Sequence, residues 1–212
     1  PRQDRWTMAK FKTNEVLNGK PVYFIAWTTT PWTLPSNMAL AVGEKIEYAY
    51  VLVNGEVLIA AKSALGNYKN VFGEEPNVLK VVKGTELAGK TYLPLFDFFK
   101  DKAQEGAFKV ILADFVEEGE GIAIVHIAPA FGEDDYITGQ KYDIVFFQPV
   151  DLEGKFTEGP WEGHFIMEDG LAVEIMKYLG DEKVYDKETI AHNYPHCWRC
   201  QTPLVYYANR SW

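Results

Sequence analysis

Cysteine is nearly absent. Both cysteines of the 212-residue chain stand in one run, Cys197-Trp198-Arg199-Cys200, and nothing with the shape of a secretion signal accompanies them. No disulfide framework is expected from that pattern. Long hydrophobic runs are also missing. None reaches the roughly 20 residues of a membrane span, so no membrane partner is expected and the location should be cytoplasmic. Positive charge is scarce: 21 Lys and Arg face 30 Asp and Glu, for a net charge of −9. A chain that wraps a long nucleic-acid backbone is normally basic, which argues against duplex binding by this chain alone. It leaves open the gripping of a short nucleic-acid end while a neighbouring domain holds the rest.

The common catalytic signatures are missing as well. Serine occurs only as Ser36, Ser63 and Ser211, none of them in a Gly-x-Ser-x-Gly elbow. There is no phosphate loop and no His-Glu-x-x-His. Gly119-x-Gly121 lacks a third glycine at the right spacing and precedes a strand, so a dinucleotide fingerprint is not expected. The chain starts at Pro1 without an initiator Met, which suggests a piece of a longer protein, here expected to be monomeric.

Aromatics are plentiful, with 13 Phe, 12 Tyr and 6 Trp, and favour a β-rich core. After an entry segment over residues 1–20, punctuated by Gly19-Lys20-Pro21, a buried strand is predicted over 22–30. Met38–Val42 is a second apolar run. Asn54-Gly55 between Glu47–Val53 and Glu56–Ala61 predicts a two-residue type I′ hairpin. Short strands are predicted over 78–83, 109–116 and 144–150. Ile122–Ile127, apolar on both faces, reads as a central, doubly buried strand. Leu95–Phe99 is compactly apolar, with partners that must be distant in sequence. Helices are predicted from Glu133 to about Tyr142 and over Met167–Leu179, with Gly180 as the stop. Short extended pieces follow over 183–187 and 189–194, and a strand-like stretch over 204–208. The fold class is α+β: a β-dominated, barrel-like domain with a few peripheral helices.

The chain is organised around Trp27-Thr28-Thr29-Thr30-Pro31-Trp32-Thr33-Leu34-Pro35-Ser36-Asn37. Pro31 pushes Thr30 towards extended backbone and ends the strand. The result is a row of hydroxyls and amides at a strand end beside aromatic walls, a lining suited to a small polar substrate. The alternative is a Thr-rich edge strand, since Thr favours strands anyway. His126 ends one strand and Asp135 lies in the first turn of the next helix, where strand ends and helix starts converge on a cleft. His126 is a candidate to orient a carbonyl, position water or act as a base. Asp135 is a candidate to hold an ammonium group. Each has a plain alternative, a satisfied core histidine and an acid decorating a helix start. Cys197-x-x-Cys200 has the spacing of half a tetrahedral zinc site, with His192 and His196 nearby; two free thiols on a turn and a redox pair are the alternatives.

Thr28–Asn37 resembles the threonine-rich motif of the editing domain in isoleucyl-tRNA synthetase. Gly119–Asp135 resembles that family's second editing motif. Tyr194–Cys200 with Thr202-Pro203 looks like the return connector to the synthetic core, and the three landmarks arrive in the family's order. Valyl and leucyl enzymes usually carry Arg where Thr30 stands and an acid where Trp32 stands.

The resemblance implies an editing domain over residues 1–188 and a connector with half a zinc knuckle over 189–212. It implies hydrolysis of valine misacylated onto tRNA(Ile), and of valyl-adenylate, by a positioned water, with the tRNA 3′ end and the rest of the synthetase as partners. Carried over by position, Asp135 binds the α-ammonium. Thr28, Thr29 and Thr30 hold the ester, the ribose and the water. Trp32 and His126 shape the excluding wall, Thr33 joins the substrate-binding set, and Asn37 supports the threonine loop. Editing needs no metal. Zinc at Cys197 and Cys200 would be structural, with its other ligands elsewhere. The alternative is a non-catalytic module that contacts the tRNA acceptor end or packs the parent enzyme together.

Overall fold

An Asn-Gly turn joins β4 (Glu47–Val53) to β5 (Glu56–Ala61), with Asn54 at φ 49° and Gly55 at φ 85°. Both residues are left-handed, as a type I′ turn requires. The same device recurs where it was not anticipated. Asn18 and Gly19, at φ 51° and 74°, turn β1 (Arg2–Leu17) into β2 (Lys20–Thr28). Residues 1–20 are therefore no mere entry segment: they supply the longest strand. The computed structural model describes residues 2–119, 121–192, 197–200 and 204–209.

The remaining strands are β3 (Ala39–Val42), β6 (Asn77–Lys83), β7 (Lys109–Leu112), β8 (Ile124–Ile127) and β9 (Val184–His192). The helices are α1 (Lys69–Phe72), α2 (Gly84–Leu87), α3 (Glu133–Lys141) and α4 (Leu171–Leu179), with 3-10 segments over Pro31–Ser36, Lys62–Asn67 and Asp97–Glu105. Six strands form one sheet in the order β6-β4-β5-β2-β1-β9, and three form a second in the order β7-β3-β8. The α+β, β-dominated reading holds, although the two sheets do not close into one barrel. The 188/189 boundary drawn from sequence falls inside β9, which pairs with β1 from Val184 opposite Ala9 to His192 opposite Arg2.

One hydrophobic core draws on strands of both sheets. All four residues of β3 are buried, as are Met8, Phe11, Phe24, Ile25, Tyr48 and Ile59. Burying each large apolar side chain contributes about 1.5–3 kcal/mol, so this layer outweighs any single polar contact. Leu95–Phe99 finds its distant partners in an aromatic cluster: Phe96 lies 5.6 Å from Trp161 and 6.0 Å from Tyr178 of α4. No helix among the described residues is long and apolar enough to cross a membrane.

Four expectations are corrected. Ile122–Ile127 is not a central strand. Ala123 at φ 53° breaks it, and β8 begins at Ile124 on the edge of its sheet. Val125 and His126, which point to opposite faces of β8, are both only half-buried. Residues 144–150 are not a regular strand: Pro149 has no N–H to donate, and only Val150 makes a bridge, to Phe156. The final helix starts at Leu171 rather than Met167, because Gly170 at φ 93° cannot continue a helix backwards. Residues 204–208 form no ladder; Ala208 N–H instead donates to Ala130 C=O at 3.0 Å.

Candidate active site

The end of β2 and the segment leading into β8 face one another across a cavity of about 290 Å³. Trp27, Thr28, Thr29 and Thr30 form one side. Gly121, Ile122, Ala123, Ile124, Val125 and His126 form the other. The volume lies at the lower end for small-molecule pockets. β2 ends at Thr28, still paired with Thr7, and Pro31 starts the 3-10 turn, so Thr29 and Thr30 leave the sheet at the cavity mouth.

The hydroxyls of Thr28, Thr30 and Thr33 form an ordered chain. Thr30 N–H donates to Thr28 Oγ1 at 3.1 Å, and the Oγ1 atoms of Thr28 and Thr30 are 3.3 Å apart. Thr30 Oγ1 lies 3.3 Å from Thr33 Oγ1, which donates to Thr30 C=O at 2.8 Å. Thr33 has one proton, and it is used there. With that proton on Thr30 C=O, the Thr33 oxygen is free to accept from His126 Nε2–H, 2.9 Å away. That arrangement favours the neutral Nε2–H tautomer, with Nδ1 an enclosed acceptor that has no hydrogen-bond partner among the described residues. Burial pushes the His126 pKa down to about 4. A base that weak has little drive to take a proton at neutral pH, so the ring suits a positioning wall better than proton transfer.

Thr33 is itself buried behind the cavity rather than lining it. Thr33→Val keeps the shape and removes the hydroxyl, leaving His126 Nε2–H unpaired. Loss of about 1–3 kcal/mol of stability is expected in urea unfolding, with Thr33→Ser restoring most of it. Equal unfolding midpoints for Thr33→Val and the wild type would contradict the bond.

Asp135 sits in the first turn of α3, half-buried, and does not line the cavity. Its Oδ2 accepts from Ala128 N–H at 2.9 Å, tying the helix start to the backbone two residues beyond His126. A Cβ at Gly132 would lie 2.8 Å from the Asp135 carboxyl carbon, so glycine is needed there for that carboxyl to stand as it does. Burial raises the Asp135 pKa to about 6, opposed by the Ala128 bond and assisted by Asp134.

The other sequence candidates lie outside the cavity. Trp32 is buried, with its ring edge-on to Phe131 at 5.2 Å. Asn37 is buried, donates to Ala39 C=O at 2.9 Å and accepts from Tyr92 OH at 2.7 Å, bracing the chain where the 3-10 turn enters β3. Among the described residues no three His, Cys, Asp or Glu side chains come together as a metal cluster. Cys197 is half-buried and Cys200 exposed; the His192 side chain and His196 lie outside the described residues. Two thiols are half a tetrahedral shell and do not fit a closed zinc site on their own. The sequence reading placed Trp27 in its central stretch and residues 121–125 in the second motif but gave none of them a site role. The glycines at 119 and 121 were the visible signal of that wall, since glycines permit the left-handed backbone it uses.

A domain with this architecture has the fold of an aminoacyl-tRNA synthetase editing domain. The P. falciparum cytosolic leucyl-tRNA synthetase editing domain superposes with a TM-score of 0.66, covering 89% of this chain and 99% of that one at 11% identity. The P. knowlesi cytosolic leucyl-tRNA synthetase editing domain gives 0.63, covering 90% and 97% at 14% identity. At such identities the likeness is one of fold alone. No protein-family model matches the chain. Homology narrows the class. The chain is 48% identical over 193 residues to isoleucine–tRNA ligase of Clostridium novyi, a match covering 90% of this chain and 18% of the relative. It is 43% identical over 213 positions to isoleucine–tRNA ligase 2 of Bacillus anthracis, covering 99% and 20%. The chain is thus homologous to a segment of the isoleucine–tRNA ligases that spans about a fifth of their length.

Proposed function

We propose that this chain is the editing segment of an isoleucine–tRNA ligase and hydrolyses valine wrongly attached to tRNA(Ile), through a positioned water. The observation that carries the reading is the small cavity between the threonine row and His126, with a carboxylate anchored to the backbone two residues past that histidine. A pocket that selects isoleucine gains only about 1–3 kcal/mol over valine, because the two differ by one methylene. A second, smaller pocket that admits valine and excludes isoleucine supplies the missing discrimination. The ester is already activated, so orientation and electrostatics suffice and no covalent intermediate is required. Thr28, Thr29 and Thr30 offer hydroxyls to the ribose, the ester and the water. The neutral His126 ring bounds the side-chain pocket, and Trp32 stiffens the turn behind the threonines. Asp135, once ionised, holds the α-ammonium. Cys197 and Cys200 hold a structural zinc only if two further ligands come from elsewhere in the ligase.

The test is deacylation by the intact ligase. Val-tRNA(Ile) should be hydrolysed and Ile-tRNA(Ile) spared. If neither ester is cleaved while tRNA binding persists, the segment is a non-catalytic acceptor-end module.

The pH dependence is a second expectation. With an Asp135 pKa near 6, kcat/KM on Val-tRNA(Ile) should rise about tenfold per pH unit up to roughly pH 6 and level off above it. His126, near 4, adds no second inflection between pH 6 and 8. Stability moves the other way at Asp135. Its folded pKa is raised from 3.8, so its contribution is complete below that value and is lost as pH rises through about 6. His126 is lowered from 6.5, so its contribution is present above that value and is lost as pH falls through about 4. A flat rate profile from pH 5 to 7 would remove Asp135 from ammonium binding.

A further inference from the structure

We propose that Tyr48, a core residue of β4 that does not line the cavity, is a positioning residue that holds the far wall in a left-handed turn and so sets which acyl group the cavity admits. Tyr48 is fully buried. Its hydroxyl accepts from Gly43 N–H at 2.9 Å and donates to Ala123 C=O at 2.7 Å. Burial raises the phenol far above its ordinary pKa, so it stays a donor at any working pH.

The recipient is the strained point of the wall. Ala123 has φ 53°, a conformation that residues with a Cβ rarely adopt, and it lines the cavity between Gly121, itself at φ 54°, and Ile124. Such strain persists where the surroundings over-determine it. Two bonds do so here: Tyr48 OH to Ala123 C=O, and Ala61 N–H to Ile122 C=O at 3.0 Å. Without the phenol, the Ala123 carbonyl loses its partner and the alanine can relax towards extended backbone. The wall then shifts against Trp27, whose side chain lies 3.8 Å from where a Cβ on Gly121 would stand. The threonine row and Asp135 belong to other elements, and the Tyr48 hydroxyl bonds to Gly43 and Ala123 instead. Its loss therefore changes the pocket's size more than its chemistry.

The inference rests on the deacylase reading, so two readouts are needed. In the intact ligase, Y48F should keep hydrolysis of Val-tRNA(Ile) within about threefold, while the ratio of Val-tRNA(Ile) to Ile-tRNA(Ile) hydrolysis falls at least tenfold, the scale of one methylene. Separately, the 13Cα and 13Cβ shifts of Ala123 in Y48F should leave the left-handed range, a result that does not depend on activity. Wild-type enzyme inactive on both esters would defeat the deacylase reading, and the Ala123 shifts would still decide the wall. Unchanged shifts, or an unchanged ratio in an active Y48F, overturn the role of Tyr48. If Y48F does not fold, A123P carries the test, because proline cannot take a positive φ. The same fall in ratio is expected with the tyrosine intact, and a wild-type ratio overturns the proposal.

Discussion

Asp135→Asn should lower hydrolysis of Val-tRNA(Ile) by the intact ligase about 100-fold while leaving the fold unchanged. The asparagine oxygen still accepts the Ala128 N–H, so the tie between α3 and the end of β8 survives. What goes is the negative charge. A hydrogen bond to a charged group is worth about 1.5–3 kcal/mol, and 2.7 kcal/mol is a factor of about 100. The loss should appear in kcat/KM and should not be recovered at high pH, since asparagine does not titrate. Asp135→Ala is the coarser variant. It removes the charge and also orphans the Ala128 N–H, so it should unfold earlier as well. If Asp135→Asn deacylates as fast as the wild type, the ammonium is held elsewhere.

The two variants also distinguish what was legible in the sequence from what was not. Asp135 was legible as a carboxylate in the first turn after a strand-ending histidine. Its actual partner, the Ala128 amide, was not, because a backbone N–H has no sequence signature. The threonine row was legible through Pro31 and its β-branched composition, and Thr28, Thr29, Thr30 and His126 do meet at one cavity. Thr33 was read as one more substrate contact; it stands behind the cavity, 2.9 Å from His126 Nε2, a contact that no local pattern announces. Asn18-Gly19 carried the same hairpin signal as Asn54-Gly55 and was passed over, so β1 was missed although its turn was in plain view. Ile122–Ile127 failed for a different reason. An apolar run cannot reveal whether its second face meets another layer or a cavity, and nothing local announces that Ala123 is left-handed.

The wall's support extends further into the core, and its most sensitive point is a glycine. Gly84, the first residue of α2, packs so closely on the backbone before β4 that a Cβ there would lie 1.9 Å from the Gly43 carbonyl oxygen. Its N–H donates to Ile46 C=O at 3.0 Å, so it cannot simply swing away. Gly84→Ala must therefore move a backbone segment rather than a side chain. Overpacking of that kind costs roughly 3 kcal/mol. For a domain of this size it should lower Tm by roughly 6–12 °C. Gly43 is also the residue whose N–H meets the Tyr48 phenol. A shift of that segment carries the tyrosine with it, and through the tyrosine the Ala123 carbonyl. Gly84→Ala should therefore lose selectivity between the two esters at temperatures well below its own Tm, whereas a substitution at an exposed, open glycine such as Gly66 should change neither. Calorimetry paired with the two deacylation assays checks this. A Gly84→Ala variant that melts within 2 °C of the wild type would mean that the contact is relieved at little cost, and that α2 is not braced against the strand that holds the wall.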